Sequence, residues 1–566
     1  MIIVMALNEQ ASSTLRFETN PAQYKHWRLD LGDADKGIAR LIMDVQEDQG
    51  LRSDYVLKQN SYDLGVDIEL ADAVSRIRFE HPEVRSIVFS SAKDRIFCSG
   101  ANIYMLGSSS HAFKVNFCKY TNETRLYLEE ASAESGIKSI AALNGVAAGG
   151  GYELALACDE IYLQEDGNSA VSLPECPLLA VLPGTGGLTR LVDKRHIRRD
   201  HADVFSTVAE GIRGKRAKEW KLVDDVVARS KFNEVTTRRA QDLAAASHRS
   251  KATGAGLVFQ PLEVSRTSGD KIVSTYKYVT LSIDPKKKVA ELELRGPDHD
   301  APKTADEMRK LGTAWWAVQA FRELDDAILD LRFNWLEIGM LVVRSKGDGG
   351  KVVAHDKALA ALSQSDWLAK EIALHQKRVC KRVDVSSRSI FTLVEEGSCF
   401  AGSLLEIALG GDRIYMKDDE DNEDAITVAL SPANFGALPM GNGLTRLQSR
   451  FLAEPKKVDE LRGREGPMTT GDAVKAGIVT IAPDAIDWDD EIRVAIEERA
   501  AMSPDAMTGM EASLRWGGPE TLETKIFGRL SAWQNWIFTR PNATGAKGAL
   551  TMYGKPERPE FDWRRA

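Results

Sequence analysis

The sequence predicts an α/β fold, present in two tandem copies. Strand-like apolar runs alternate with segments of helical spacing, the pattern of sheets covered by helices. At 566 residues the chain is long enough for more than one core. Four islands also recur in the same order at offsets near 250. YELALACDEIYL (152–163) meets LEIALGGDRIYM (405–416), which aligns Glu153 with Glu406, Asp159 with Asp412 and Tyr162 with Tyr415. LPGTGGLTRL (182–191) meets LPMGNGLTRL (438–447) and aligns Arg190 with Arg446. WRLDLGDADKGIARLIMD (27–44) resembles VTLSIDPKKKVAELELR (279–295), and RSIVFSSAKD (85–94) pairs with GMLVVRSKGD (339–348). The predicted domains are 1–260 and 261–566, with the junction near the polar stretch SHRSKATGAG (247–256).

Each element of the first copy follows from its local pattern. GIARLIMDV and VRSIVFSS are apolar runs of the buried-strand kind. VDIELADAVSRIRFEHP between them has helical spacing and ends at His81-Pro82. SIAALNGV reads as one further strand, Gly149, Gly150 and Gly151 as a turn, and YELALACD as the start of a helix.

The bulk numbers exclude several classes. A formal charge of −9 argues against nucleic-acid binding through a basic surface. No apolar run reaches the length of a membrane span. MIIVMALNEQ has a short apolar run but no basic flank or cleavage-type region, so it does not read as a signal peptide. The six cysteines (Cys98, Cys118, Cys158, Cys176, Cys380 and Cys399) lack CxxC spacing, which suits free thiols in a reducing cytoplasm. The nine histidines form no HxH or HExxH arrangement, so no metal is expected.

The chemistry gathers around the three glycines. A strand–Gly-Gly-Gly–helix passage presents backbone N–H groups with no side chains in the way, next to the positive end of a helix. Such a place can be an oxyanion hole, or the glycines can simply let strand and helix pack closely. Glu153 follows in a helix that is apolar all round, so it is either an ion-paired core residue or a working carboxyl. Glu175 lies between Pro174 and Pro177 with Leu173, Leu178 and Leu179 near, again in no solvated charge face. If the two carboxyls share a pocket, one is pushed toward neutrality and the other left as the anion.

NGVAAGGGYELALACD, RIFCSGANI (95–103) and LPECPLLAVLPGTGGLTRL together resemble the crotonase, or enoyl-CoA hydratase/isomerase, superfamily, from about residue 27 to about residue 230. The resemblance implies a ββα spiral fold and chemistry on an acyl-CoA thioester. It places the thioester oxygen between the N–H groups of Ala101 and Gly150, with Ala101, Asn102, Ile103 and Gly150 against the acyl-CoA. Glu153 and Glu175 align with the two glutamates that manage water in the hydratases. Departures are Cys98 and Ser99, often alanines in the family, and Asn102, where Asp is common. None of them removes a backbone donor.

Cys118 follows in the region that, by the same resemblance, would roof the acyl pocket. It is a packed thiol beside Phe117 or an aid to proton transfer, and Asn116, Lys119 and Tyr120 are alternative pocket-lining residues. Arg190 and Lys194 suit solvated surface charge better than contacts to the CoA phosphates.

In the second copy Ser403 stands in the place of Gly150, VVAHDK (352–357) replaces FCSGAN, and Ser431 or Ala433 falls where Glu175 would be. That copy is expected to be catalytically dead. The segment GANIYMLGSSSHAFKVNFCKYTNETR and the tail FDWRRA set the chain apart within the family. The expected protein is a cytoplasmic enzyme without a cofactor beyond the CoA of its substrate. No nucleic-acid or membrane partner is expected, and the expected assembly is a homo-oligomer, in the simplest case a dimer. The rival readings are an enoyl-CoA hydratase for aliphatic substrates, a fatty-acid oxidation protein with a fused dehydrogenase, and a non-catalytic acyl-CoA-binding protein. The second half has no dinucleotide-binding fingerprint to support the fused dehydrogenase.

Overall fold

The computed structural model describes residues 14–252, 254–419, 426–520, 531–552 and 555–566. MIIVMALNEQ lies outside the described residues. The chain divides into two compact units. One spans residues 17–259, and the other spans 260–566 together with the described residues 14–16. Leu15 joins that second unit through its N–H and C=O, each 3.0 Å from the Asn334 amide.

The 17–259 unit begins with β1 (Trp27–Asp30) and β2 (Ile38–Met43), followed by helix α1 (Leu64–Glu80). Asp63 caps α1 by accepting from Gly65 and Val66, and the helix stops before His81-Pro82. Then come β3 (Ser86–Ser91), β4 (Arg95–Cys98), α2 (Ile103–Ser108), α3 (His111–Ser135), β5 (Lys138–Leu143), β6 (Gly145–Ala148) and α4 (Gly150–Ala157). The unit closes with β7 (Glu160–Glu165), β8 (Ala170–Ser172), β9 (Ile212–Arg213), β10 (Asp225–Ala228) and α5 (Phe232–Ala246).

The large sheet has the order β1-β2-β3-β5-β7-β10, and the small sheet has the order β4-β6-β8-β9. β1 runs antiparallel to β2, and the other neighbours in the large sheet are parallel. The chain therefore alternates. β3, β5 and β7 each lie in the large sheet and are each followed by a strand of the small one. Helices follow β4 and β6. This is the ββα repeat. Ile38, Val88, Ile140, Tyr162 and Val227 form a buried layer with Phe232 and Ala240 of α5.

SIAALNGV is not one strand. It breaks at Asn144 into β5 and β6, which belong to different sheets. The Asn144 amide donates to the carbonyls of Ser91 (3.2 Å) and Lys93 (3.0 Å) and so pins the corner after β3. A Cβ at Gly145 would fall on the Arg95 carbonyl carbon, so only glycine lets the two backbones meet.

The 260–566 unit has one seven-stranded sheet: β11 (Ser265–Ser268), β12 (Ile272–Thr275), β13 (Val279–Asp284), β14 (Val289–Arg295), β15 (Met340–Lys346), β16 (Ser389–Val394) and β17 (Arg413–Met416). Pairing is antiparallel up to β14 and parallel from β14 to β17. Its longer helices include α6 (Trp316–Asn334), α7 (Gly349–Leu362) and α8 (Trp367–Asp384), followed by α9 (Gly402–Leu409). VVAHDK lies inside α7, capped by Asp348, and forms no strand or loop. The tail is anchored here: buried Arg565 meets Glu511 at 2.7 Å.

Candidate active site

The three glycines have three separate reasons. Gly149 adopts φ +53°, and a Cβ there would lie 2.5 Å from Glu175 Oε1. A Cβ at Gly150 would fall on the phenol oxygen of Tyr62, and one at Gly151 would come within 2.5 Å of the Cys98 carbonyl oxygen. The turn is thus packed against a carboxyl, a phenol and the end of β4.

Two backbone donors meet at this turn. Tyr62 and Ala101 form a parallel bridge, in which Tyr62 N–H donates to Gly100 O (3.0 Å) and Asn102 N–H to Tyr62 O (2.9 Å). In such a bridge the N–H of the intervening residue, Ala101, points the other way. Gly150 opens α4, where a helix leaves its first N–H groups without intrahelical acceptors. The two segments touch, since a Cβ at Gly100 would lie 3.0 Å from the Gly150 nitrogen. Asn102 and Ile103 differ in setting. The Asn102 side chain caps α2 and donates to Val56 O (2.8 Å) and Ser61 Oγ (3.1 Å), whereas Ile103 is exposed.

The two carboxyls have contrasting surroundings. Buried Glu153 accepts from Thr185 N–H (3.0 Å), the Thr185 hydroxyl and Gly187 N–H (2.7 Å). Neutral donors hold it, which answers the ion-pair alternative in the negative. Glu175 sits in a single π-turn, Glu175–Leu179, and its buried Oε2 has no partner among the described residues. Burial, with a smaller contribution from the Glu153 charge, pushes its carboxyl up to about 7.

This shift makes a stability prediction. The folded value lies above the ordinary 4.5, so the contribution is fully present below about 4.5 and is lost as pH rises through about 7. Glu175→Gln removes that loss. Its melting temperature relative to wild type is expected to rise between pH 5 and pH 8, as read by calorimetry.

Cys118 of α3 faces the loop that holds Glu153: its sulfur would lie 3.1 Å from a Cβ at Gly184. Asn122, one turn on, donates to Gly184 O at 2.9 Å. Burial, then the charges of Glu153 and Asp67, push the thiol up to about 11, so near neutrality it is a thiol and not a thiolate. Asn116 is buried and donates back to Ala112 O within α3, and buried Tyr120 packs on Phe17.

Arg190 is not a solvated surface charge, whereas Lys194 is exposed, as expected. Arg190 is buried, holds Glu129 through two bonds of 2.8 and 2.9 Å, and donates to Thr185 O at 2.9 Å. Lys194 meets Glu129 and the Ala157 carbonyl, at 2.9 and 2.8 Å. Arg190 thus braces the residue that grips Glu153. Thr185 itself escapes the sequence reading. Its signal was the repeat, in which Gly441 stands at the aligned position.

Among the described residues there is no group of three or more His, Cys, Asp or Glu placed to hold a metal. None of their helices is long and apolar enough to cross a membrane. All six cysteines are unpaired.

The enoyl-CoA hydratase/isomerase family profile matches residues 57–268. The chain belongs to that family, the crotonases. It is 52% identical over 559 residues to benzoyl-CoA-dihydrodiol lyase of Aromatoleum evansii, with 99% of both chains covered. Among solved structures it is similar to an enoyl-CoA hydratase from Geobacillus kaustophilus HTA426, 31% identical over 39% of this chain and 75% of that one, with a TM-score of 0.34. A Bacillus anthracis enoyl-CoA hydratase is 26% identical over 37% and 73% of the two chains, with a TM-score of 0.31.

Proposed function

We propose that this chain opens the ring of 2,3-epoxybenzoyl-CoA, the epoxide form of the dihydrodiol thioester, by adding water. The products are 3,4-didehydroadipyl-CoA semialdehyde and formate, a step of aerobic benzoate degradation. The full-length likeness to a benzoyl-CoA-dihydrodiol lyase supports this substrate class. The observation that carries the site assignment is Glu175, whose buried Oε2 has no partner among the described residues and whose carboxyl packs against Gly149, next to Gly150.

Ring opening next to a thioester sends charge to the thioester oxygen, where two fixed N–H groups stabilise it. Adding water and breaking a C–C bond require protons to be taken from and returned to oxygens. Glu175, titrating near 7, is the group with an exchangeable proton at neutral pH. Glu153, held by Thr185 and Gly187, stands as its partner carboxyl group. Cys118 lies within this cluster as a neutral thiol. The test is formate release from freshly prepared 2,3-epoxybenzoyl-CoA, beside crotonyl-CoA hydration on the same batch. Formate with little hydration is the expected result, and hydration without formate would remove the ring-opening assignment.

The 260–566 unit is proposed as a second, inactive copy of the same fold. Its order β13-β14-β15-β16-β17, antiparallel and then parallel, parallels β1-β2-β3-β5-β7. Gly402 has φ +46°, close to that of Gly149. The Ser403 N–H, at the place of Gly150, is already taken: it donates to Asp356 Oδ2 at 2.8 Å. Ser431, at the place of Glu175, donates to the same oxygen at 2.8 Å. Glu406 is bound to Arg446 at 3.0 Å and to the Asn434 amide at 2.8 Å. In the first copy the aligned Arg190 is held by Glu129, and Glu153 forms no ion pair among the described residues.

Glu406→Gln is therefore expected to leave turnover per folded molecule near wild type. It should still lower stability by about 1–3 kcal/mol, because Arg446 loses one charged hydrogen bond while keeping its pair with Asp384. Denaturant unfolding and formate release on one preparation check both parts. A large loss of turnover with intact folding would overturn the inactive-copy assignment.

A further inference from the structure

We propose that the Tyr62 phenol is a third donor to the oxygen that Ala101 and Gly150 hold, the thioester oxygen of the acyl-CoA. The proposal rests on the reading of those two N–H groups as an oxyanion hole.

Tyr62 belongs to both sides of the hole. Its backbone forms the bridge to Ala101 through bonds to Gly100 (3.0 Å) and Asn102 (2.9 Å). Its side chain crosses to the other side and lays the phenol oxygen against the Gly150 α-carbon, where any Cβ would overlap it. The residue is 2% exposed, and its phenol oxygen has no hydrogen-bond partner among the described residues. Burying a hydroxyl without a partner is costly, and native structures rarely leave one so unless a ligand completes it.

None of the neighbours is bonded to that oxygen among the described residues. The ring lies 6.0 Å from that of Phe117, with the Arg125 guanidinium 5.6 Å from its centre. Arg125 only donates, and it is bound to Asp67 at 2.5 Å. Asp67 also accepts from Thr121, and Glu153 is held by Thr185 and Gly187. The Cys98 thiol donates to the Asn60 carbonyl at 3.1 Å. Burial keeps the phenol protonated by pushing it well above its ordinary range, so what it offers is an O–H. The N–H groups of Ala101 and Gly150 and this O–H are all donors. They need an acceptor with no proton of its own, which describes a thioester oxygen and, still better, the enolate oxygen that follows from it.

The test compares wild type, Tyr62→Phe and a variant carrying 3,5-difluorotyrosine at position 62. Benzoyl-CoA is the probe, because polarising its carbonyl shifts its near-ultraviolet band to the red on binding. Tyr62→Phe should bind benzoyl-CoA with little change in affinity, show a smaller red shift, and release formate about a hundredfold more slowly. Its melting temperature should be equal to or above that of wild type, since an unpartnered hydroxyl has been removed. The more acidic fluorinated phenol should deepen the red shift. An unchanged shift in both variants overturns the proposal, whatever the turnover, as does a wild type that shows no shift. If the wild type releases no formate while the shifts behave as expected, the ring-opening reading fails and the Tyr62 assignment stands.

Discussion

Glu175→Gln is expected to lower formate release by roughly two to four orders of magnitude while acyl-CoA binding stays nearly intact. The reason is the isolation of this carboxyl. Its Oε2 is buried with no partner among the described residues. Glutamine keeps the shape against Gly149 and removes the proton. The same substitution should change the pH profile. In wild type, kcat/KM is expected to fall as pH rises through about 7, because Glu175 loses the proton it donates. The variant's residual rate should lack that limb. Wild-type turnover in Glu175→Gln, or a profile with the opposite slope, would remove the residue from the donor role. Glu153→Gln is a less clean experiment. Glu153 accepts from three donors, and an amide cannot accept from all of them, so the loop 185–187 moves with it.

Gly150→Ala is expected to reduce turnover about 100- to 1,000-fold, the cost of losing an oxyanion donor. The added Cβ would fall on the Tyr62 phenol oxygen and within 2.8 Å of its Cζ. Tyr62 cannot yield easily, since its ring is buried between Phe117 and Arg125. Something has to shift, either the ring or the first turn of α4, and with it the N–H. Overpacking of this kind costs about 1–3 kcal/mol of stability. Gly150→Ala in a Tyr62→Phe background relieves the contact with the oxygen but not with Cζ. Denaturant unfolding should then show part of the stability regained, and the formate assay should show turnover still low. Wild-type turnover in Gly150→Ala would mean that the turn is structural packing and not a donor.

The sequence by itself determined the parts that depend on local pattern and on repetition. The buried strands of the large sheet were legible as apolar runs, and the start of α4 as glycines before an apolar helix. The repeat exposed Ser403, and Ser431 or Ala433, as losses from a second site. Glu153 and Glu175 stood out because a charge in an apolar run conflicts with its surroundings. What the sequence could not hold was the partner of each charge. Arg190 and Arg446 lie in almost identical strings, yet Arg190 is held by Glu129 while Arg446 reaches Glu406. Which carboxylate an arginine meets depends on residues 40 to 62 positions away. The break at Asn144 depends on two carbonyls at the corner after β3, so the strand pattern alone runs through it. Tyr62 lies outside every repeated island, and nothing local marks it. Only the tertiary structure sets its phenol on the α-carbon of Gly150, because bringing together two segments 88 residues apart is the work of sheet pairing and not of local preference.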